Sequence, residues 1–335
     1  MPRLSVILPA YNAGDFLRRS AGSVLANTYR DLELIIVDDG SSDSTGDICA
    51  ALARGDGRVR IIRQENAGVS CARNRGVDEA SGELIAFVDA DDFVEPDAYE
   101  TMISLMDGSG AGCAACSYYD EFPGGSRADR SPPVPEGVYG PEDVRRGIVL
   151  PLLCDRLSTS LLLGTVWRYV FSARVIKEGG IRFSGAYLED EMFLIEYFSR
   201  PCTLAVSGAA LYGYMQNPAS VTKRYLRGFA GTFMRSMEIK AELVERFDIP
   251  APPEWRLNSV WAGLLIAASN EFAPGAPAGG AGRLRTIAAM PLFAEAVRDY
   301  VPRGMSRNKT LAAFCLRHRL YGLLAALYAV KNRGH

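Results

Sequence analysis

Asp89, Asp91 and Asp92 place three carboxylates within four positions, directly after the apolar run Leu84–Val88. Like charges that close repel one another unless something positive offsets them. Every donor atom is a hard oxygen, and no histidine or cysteine lies nearby in the sequence, so the segment suits Mg2+ or Mn2+ rather than zinc. Such ions usually take one or two protein carboxylates and complete their shell with phosphate and water oxygens. The pattern points to a metal-assisted site for a phosphorylated ligand.

A second acidic pair, Asp38-Asp39, follows the apolar run Leu34–Val37 within IIVDDGSSDST. A tight turn and a helix cap account for Gly40, Ser42 and Asp43. They do not account for Asp38-Asp39, where a carboxylate could accept a hydrogen bond from a pyrimidine ring N–H. The third group is Glu189, Asp190 and Glu191 in LEDE. One of them could take a proton from a reacting hydroxyl, and all would also be favourable in the first turn of a helix. Arg73 carries a planar fork that pairs with phosphate oxygens.

These residues need a frame. Leu4–Leu8, Leu34–Val37, Val59–Ile62 and Leu84–Val88 each read as a buried strand. Phe16, Leu17, Ser20, Val24 and Leu25 repeat at helical spacing, and Asp43–Leu52 and Val69–Ala80 predict the next helices. This alternation predicts an α/β fold, a Rossmann-like, mostly parallel central sheet flanked by helices. Ligands of such sheets bind beyond the carboxyl ends of the strands. There the chain places Pro9, Ala10, Tyr11 and Asn12, then Asp38 to Gly40, then Glu65 and Asn66, then Asp89 to Asp92.

Further along, Phe122–Gly137 reads as an exposed loop or hairpin, Glu142–Leu153 as helical and Val166–Phe171 as an aromatic segment. A helix starts near Glu189, and two short apolar runs follow at Thr203–Val206 and Ala210–Tyr214. Beyond Arg224 the pattern predicts helices over Leu226–Phe247, Glu254–Asn270, Arg283–Tyr300 and Asn308–Lys331, with Ala273–Gly282 a flexible loop.

A net charge of −2 over 335 residues gives no overall basic field, so no nucleic-acid partner is expected. The seven cysteines are scattered and odd in number, which fits reduced thiols in a cytoplasmic protein. The lone CxxC at Cys113 and Cys116 lacks the four ligands of a structural zinc. The N-terminal apolar run is too short for a signal peptide. No stretch reaches the ~18 apolar residues of a membrane span. The expectation is a soluble chain, or one peripheral on a membrane surface.

Taken in order, SVILPAYN, IIVDDGSSDST, ENAGVSCARNRG and GELIAFVDADD resemble the family 2 glycosyltransferases, inverting enzymes with the GT-A fold. VWRYVFSARVIKEGGIRF, GAYLEDEMFLIEYF and YGYMQNPASVT are similar to its bacterial polysaccharide-assembly members. The resemblance covers roughly residues 3 to 222. It implies a catalytic domain over 1–225, with a nucleotide-sugar half at 1–108 and an acceptor-side half at 109–225; the helical region over 226–335 is read from its periodicity and carries no family resemblance. The resemblance implies that Pro9, Tyr11 and Asp39 grip the base, usually uracil, with Tyr11 stacking on the ring. Asn66, Arg73 and Asn74 would line the donor pocket, Asp89 would face the ribose and diphosphate, and Asp91 would coordinate Mn2+ or Mg2+. Asp190 matches the catalytic base, a choice among the LEDE acids that rests on the resemblance. The implied reaction moves a sugar, usually from a UDP donor, to a glycan or lipid-linked hydroxyl by single displacement.

Arg168-Tyr169 follows Trp167 where relatives often carry Asn-Lys, which weakens inference about the acceptor. Both histidines, His318 and His335, lie near the C-terminus, far from the core motifs. A sugar-phosphate nucleotidyltransferase would show a Gly-rich loop with an arginine after the first strand, where this chain has PAYNAGDF. A nicotinamide dehydrogenase would need GxGxxG there. A non-catalytic nucleotide-sugar-binding subunit would tolerate loss of the base, and LEDE is intact. The last helix mixes apolar bulk with Arg317, His318, Arg319, Lys331 and Arg333, so it packs on the core or contacts an anionic membrane surface.

Overall fold

The computed structural model describes residues 1–154, 164–185, 187–216, 225–302 and 305–333, with side chains through Val330. The end of YGYMQNPASVT, Ala186 of GAYLEDE, and His335 lie outside the described residues, as do the side chains of Lys331 and Arg333. The chain forms two compact units, Met1–Val149 with Gly164–Asn217, and Leu150–Leu163 with Pro218–His335.

In the first unit, β1 (Leu4–Ala10), α1 (Leu17–Leu25), β2 (Leu32–Asp38), α2 (Thr45–Gly55), β3 (Val59–Arg63), α3 (Val69–Glu79) and β4 (Leu84–Phe87) alternate as the apolar runs predict. Every residue of β1, β2 and β4 is buried, which is why they read as continuous Val/Ile/Leu runs rather than as alternation. β1 pairs parallel with β2 and β4, and β2 with β3. Register places Ala10 beside Asp38 and Ile7 beside Phe87. The loops after β1, β2 and β4 therefore leave from one edge.

The sheet continues through β5 (Phe93–Val94), β6 (Cys113–Glu121), β7 (Arg127–Asp129), β8 (Gly137–Tyr139), β9 (Tyr169–Ser172) and β10 (Leu204–Met215), with α4 (Ala98–Ser109) after β5. Its order is β3-β2-β1-β4-β9-β6-β10-β5, with β7 on β6 and β8 on β10. β9 runs antiparallel to both β4 and β6, so the parallel half meets a mixed half there. The hairpin expected within Phe122–Gly137 is the turn joining β6 to β7. The two apolar runs Thr203–Val206 and Ala210–Tyr214 belong to the single strand β10, which begins at Leu204. Register shifts between Val206 and Tyr212 mark the bulge where its apolar pattern breaks. Cys113 and Cys116 lie three apart in β6, so their side chains take opposite faces and cannot share a metal. All the described cysteines are free thiols.

Helix α3 sits tightly on β1. A Cβ built at Gly76 would overlap the Ile7 side chain, so only glycine lets the helix approach that closely. Arg73 lies one turn earlier on the same helix. Between β8 and β10 come α5 (Pro141–Val144), a π turn at Arg145–Val149, α6 (Leu150–Cys154), a 3-10 turn at Val166–Arg168, α7 (Ala173–Glu178) and α8 (Glu189–Phe198). α6 belongs to the second unit.

The second unit also contains α9 (Phe229–Arg246), α10 (Trp255–Glu271), α11 (Gly280–Ala288), α12 (Pro291–Asp299), α13 (Arg307–Arg317) and α14 (Tyr321–Arg333). Helix α10 is its core, with Val260, Trp261, Leu264, Ala267 and Ala268 at most 1% exposed. Trp261 donates its indole N–H to the Ala296 carbonyl at 2.9 Å. The helix expected over Arg283–Tyr300 is split, because Pro291 starts a new helix where its missing N–H costs nothing. The one expected over Asn308–Lys331 is also split, with Arg319 left-handed at φ 56° in the break. The loop expected at Ala273–Gly282 is shorter, since α11 begins at Gly280. Among the described residues, no helix is long and apolar enough to cross a membrane.

Candidate functional site

Arg73 holds the site together. Its side chain is 4% exposed, and its guanidinium bonds three carboxylates from two distant parts of the chain. Nη1 donates to Asp190 Oδ1 at 2.7 Å and to Glu189 Oε1 at 3.1 Å, while Nη2 donates to Asp89 Oδ1 at 2.9 Å. Burial works against the Arg73 charge, yet Asp190, Asp89 and Glu189 hold the guanidinium above its ordinary value. Its Nε is buried with no hydrogen-bond partner among the described residues. A solvated helix-face arginine would show none of this.

The acids come from the first turn of α8. Leu188 precedes it in the left-handed region, at φ 63° and ψ 45°, a costly conformation for a branched residue. That turn aims Glu189 and Asp190 at Arg73, while Glu191 is buried at 2% exposure. Asp190 Oδ2 also accepts the Val166 N–H at 3.2 Å. Burial pushes the Asp190 carboxyl up to about 7, although Arg73 pulls the other way.

Each carboxylate of the DADD loop has its own surroundings. Asp92 is 1% exposed and accepts the Tyr212 hydroxyl at 2.8 Å and the Met215 N–H at 2.9 Å. It clasps the loop to β10. Burial, then Asp89 and Asp91, raise its pKa. Tyr212 also accepts the Asp89 N–H at 3.2 Å, so one phenol fixes both ends of the loop. Asp91 is partly exposed, and no other side chain among the described residues engages its carboxylate. Burial and the Asp89 charge push it up to about 6. An unengaged carboxylate crowded by another acid fits a divalent cation, which would relieve that repulsion. No group of three or more acidic, His or Cys side chains among the described residues is arranged to hold a metal unaided. Oxygens of a bound phosphate would have to complete the shell.

Asp39 lies beyond β2, 3% exposed. It accepts the Ala67 and Gly68 N–H groups at 2.9 and 2.8 Å and the Gln64 amide at 2.7 Å, drawing the loop that contains Asn66 over it. Asn66 itself is exposed, and its backbone lies so close that a Cβ at Gly40 would meet it at 2.8 Å. Pro9 is buried in β1, and Tyr11 stands 53% exposed just beyond. Asp38 closes its own turn through the Ser41 N–H and Asp43 accepts the Thr45 N–H, while the cap position of α2, expected at Ser42 or Asp43, falls on Ser44. Asn74 exchanges bonds with the backbone of Phe183, accepting its N–H and donating to its C=O, each at 2.9 Å.

Several supporting residues gave little sign in the sequence. Asn12 takes φ 48° and exchanges bonds with the loop after β2, accepting the Ser42 N–H at 2.9 Å and donating its own N–H to Ser41 Oγ at 3.0 Å. Trp167 stacks on Tyr212 at 4.2 Å and on Tyr214 at 5.8 Å, walling the DADD loop with aromatic rings. The i, i+2 spacing of Tyr212 and Tyr214 marks one strand face and was the available signal. Arg168 is 2% exposed and lies over the Tyr118 ring at 4.8 Å, within the aromatic layer.

Residues 5–156 match the family model described as Glycosyl transferase family 2. YibD of Escherichia coli strain K12, described as an uncharacterized glycosyltransferase, is 34% identical over 232 residues, spanning 68% of this chain and 65% of YibD. EpsJ of Bacillus subtilis strain 168, described in the same words, is 29% identical over 228 residues, spanning 67% and 64%. The chain thus spans just under two thirds of the length of these curated relatives. The crystal structure of S. aureus TarS 1-349 in complex with UDP superposes with a TM-score of 0.61 at 17% identity, covering 99% of this chain and 92% of that one. That likeness is one of fold.

Proposed function

We propose that this chain, which matches glycosyl transferase family 2 over residues 5–156, is a glycosyltransferase of GT-A fold that transfers a single sugar from a UDP-sugar to a hydroxyl of a glycan or lipid-linked acceptor. The observation that carries this reading is the Arg73 bridge, which sets Asp190 and Asp89 on one guanidinium. A proton acceptor and a phosphate-side acid are thereby held beside each other in an otherwise apolar frame.

Asp190 is the base. With its carboxylate deprotonated, it takes the proton of the acceptor hydroxyl as that oxygen attacks the anomeric carbon. The nucleoside diphosphate leaves from the opposite face, so an α-linked donor gives a β-glycoside. Tyr11, exposed beyond β1, offers a ring for the base to stack on, and Pro9 and Asp39 border the same end of the sheet. Arg73 keeps Asp190 oriented and links it to the donor side. A bound Mn2+ or Mg2+, held by Asp91 next to Asp89, would neutralise charge on the departing diphosphate. Asn66 lies on the exposed rim near Asp39, while Asn74 supports the site by fixing Phe183, over which Arg73 sits at 5.2 Å.

TarS, a similar fold, forms complexes with UDP and with UDP-GlcNAc, which supports a uridine donor here. PcManGT, a mannosyltransferase of similar fold from Pyrobaculum calidifontis, forms a complex with GDP-Man and Mn2+, which supports the metal. The test is a screen of nucleotide-sugars with and without Mn2+, reading thermal shift and released nucleoside diphosphate together. A donor that raises the melting temperature and is turned over supports transfer. Binding without turnover in the presence of acceptor glycans would favour a non-catalytic nucleotide-sugar-binding subunit.

A further inference from the structure

The last 35 residues, 301–335, contain seven Lys and Arg (Arg303, Arg307, Lys309, Arg317, Arg319, Lys331, Arg333) and no Asp or Glu. The chain as a whole has 37 basic and 39 acidic residues, so the first 300 hold 30 against 39. A net charge of +7 is thus concentrated on one end of a chain whose remainder carries −9. None of these seven residues is among those assigned to the sheet-edge site.

The same segment leaves large apolar side chains uncovered. In α13, Ala312, Ala313, Cys315 and Leu316 are buried, while Leu311 and Phe314 are 44% and 51% exposed. The Phe314 ring lies 4.4 Å from that of His318, and Arg307, Leu311, Phe314 and His318 follow the i, i+4, i+7 spacing of one helix face. In α14, Tyr321 and Leu324 are buried, while Leu323 and Val330 are 50% and 72% exposed and seven positions apart. Each helix therefore has a packed face and exposed apolar side chains, with Arg307 in α13 and Arg319 between the two helices exposed as well.

We propose that α13 and α14 dock this chain on the surface of a bilayer carrying anionic headgroups. Leu311, Phe314, Leu323 and Val330 enter the boundary of the acyl layer, and Arg307 and Arg319 remain among the headgroups. Neither helix is long and apolar enough to cross a membrane, so the contact is with one surface. A second copy of the chain is disfavoured as the occupant, because two such faces would bring like charges together. Nucleic acid would meet the basic residues but leave the apolar row in water. The inference does not rest on the proposed sugar transfer, and its test needs no substrate.

The experiment is flotation of the full chain with phosphatidylcholine vesicles, with and without phosphatidylglycerol, at low and high salt. The full chain floats with the phosphatidylglycerol vesicles, and high salt releases it. Arg307→Gln and Arg319→Gln each lower the bound fraction roughly fivefold. Leu311→Asp combined with Phe314→Asp abolishes flotation, and Leu323→Asp on the other helix weakens it, so one misfolded variant does not leave the idea without a measurement. Failure of the full chain to float, equal flotation with neutral vesicles, undiminished flotation of the apolar variants, or a dimer that Phe314→Asp dissociates would each overturn it. Donor turnover measured without vesicles stays unchanged in all these variants, which separates this result from the fate of the transfer reaction.

Discussion

Arg73 donates to Asp190 at 2.7 Å across 117 positions of sequence, joining the helix after β3 to the first turn of α8. Through its other nitrogen the same guanidinium reaches Asp89 at 2.9 Å, so the first acid of the DADD loop and the proposed base share one cation. Replacing Arg73 by alanine would leave three like charges facing one another. Arg73→Ala should cost about 3–5 kcal/mol of stability in denaturant unfolding. It should also shift the acidic limb of the activity profile upward, because Asp190 loses its counter-charge. Arg73→Lys should recover part of both, as an ammonium keeps the charge but loses the fork.

The pH dependence follows from burial. Asp190 is pushed up to about 7, and a base must be deprotonated to act. Measured kcat/KM should therefore fall as pH drops through about 7 and be flat above it until another group titrates. Asp190→Asn should remove that limb and lower kcat by about 10²–10⁴ while donor binding, read by thermal shift, persists. Full activity in Asp190→Asn would transfer the role to Glu189.

Chelation should abolish transfer, and Mn2+ or Mg2+ should restore it. In Asp91→Ala the added metal should no longer restore turnover, and the metal-dependent part of the donor's thermal shift should disappear. A donor shift of equal size with and without metal would remove Asp91 from the metal's shell.

Tyr212 donates to Asp92 at 2.8 Å and accepts from the Asp89 backbone at 3.2 Å. Tyr212→Phe keeps the ring stack with Trp167 but leaves a buried carboxylate and an N–H short of a partner. It should cost about 1–3 kcal/mol of stability and weaken donor binding. Isothermal titration with the donor, beside a melting curve, checks both.

Gly76→Ala tests whether the approach of α3 to β1 sets the site. The added methyl overlaps Ile7 and should destabilise the fold by about 1–3 kcal/mol. Because α3 carries Arg73, kcat should fall more than thermal stability alone would produce. An unchanged kcat in the folded fraction would show that the helix position is not what aligns Arg73.

Much of the parallel half was legible from the sequence. Its strands are continuous apolar runs because both faces are buried, and the acids follow them at the edge where such sheets bind ligands. The later segments were less legible for identifiable reasons. β10 reads as two runs because its bulge interrupts the pattern, and the helices after residue 282 run together because a proline or left-handed residue ends one and starts the next without breaking the apolar spacing.

Local patterning sufficed for the parallel strands β1 to β4 and for the carboxylates that follow β2 and β4, because periodicity and strand-end chemistry involve only neighbouring residues. Residue chemistry alone left Glu189, Asp190 and Glu191 open, with Asp190 selected by the family resemblance, and it showed Arg73 only as a phosphate-pairing side chain. The tertiary structure separated Glu191 from the other two. It turned Glu189 and Asp190 toward Arg73, buried Glu191, tied Asn74 to Phe183 and set Tyr212 beneath the DADD loop. Those relationships join residues a hundred or more positions apart, and only packing the α8 turn and β10 against the parallel half decides which side chains meet.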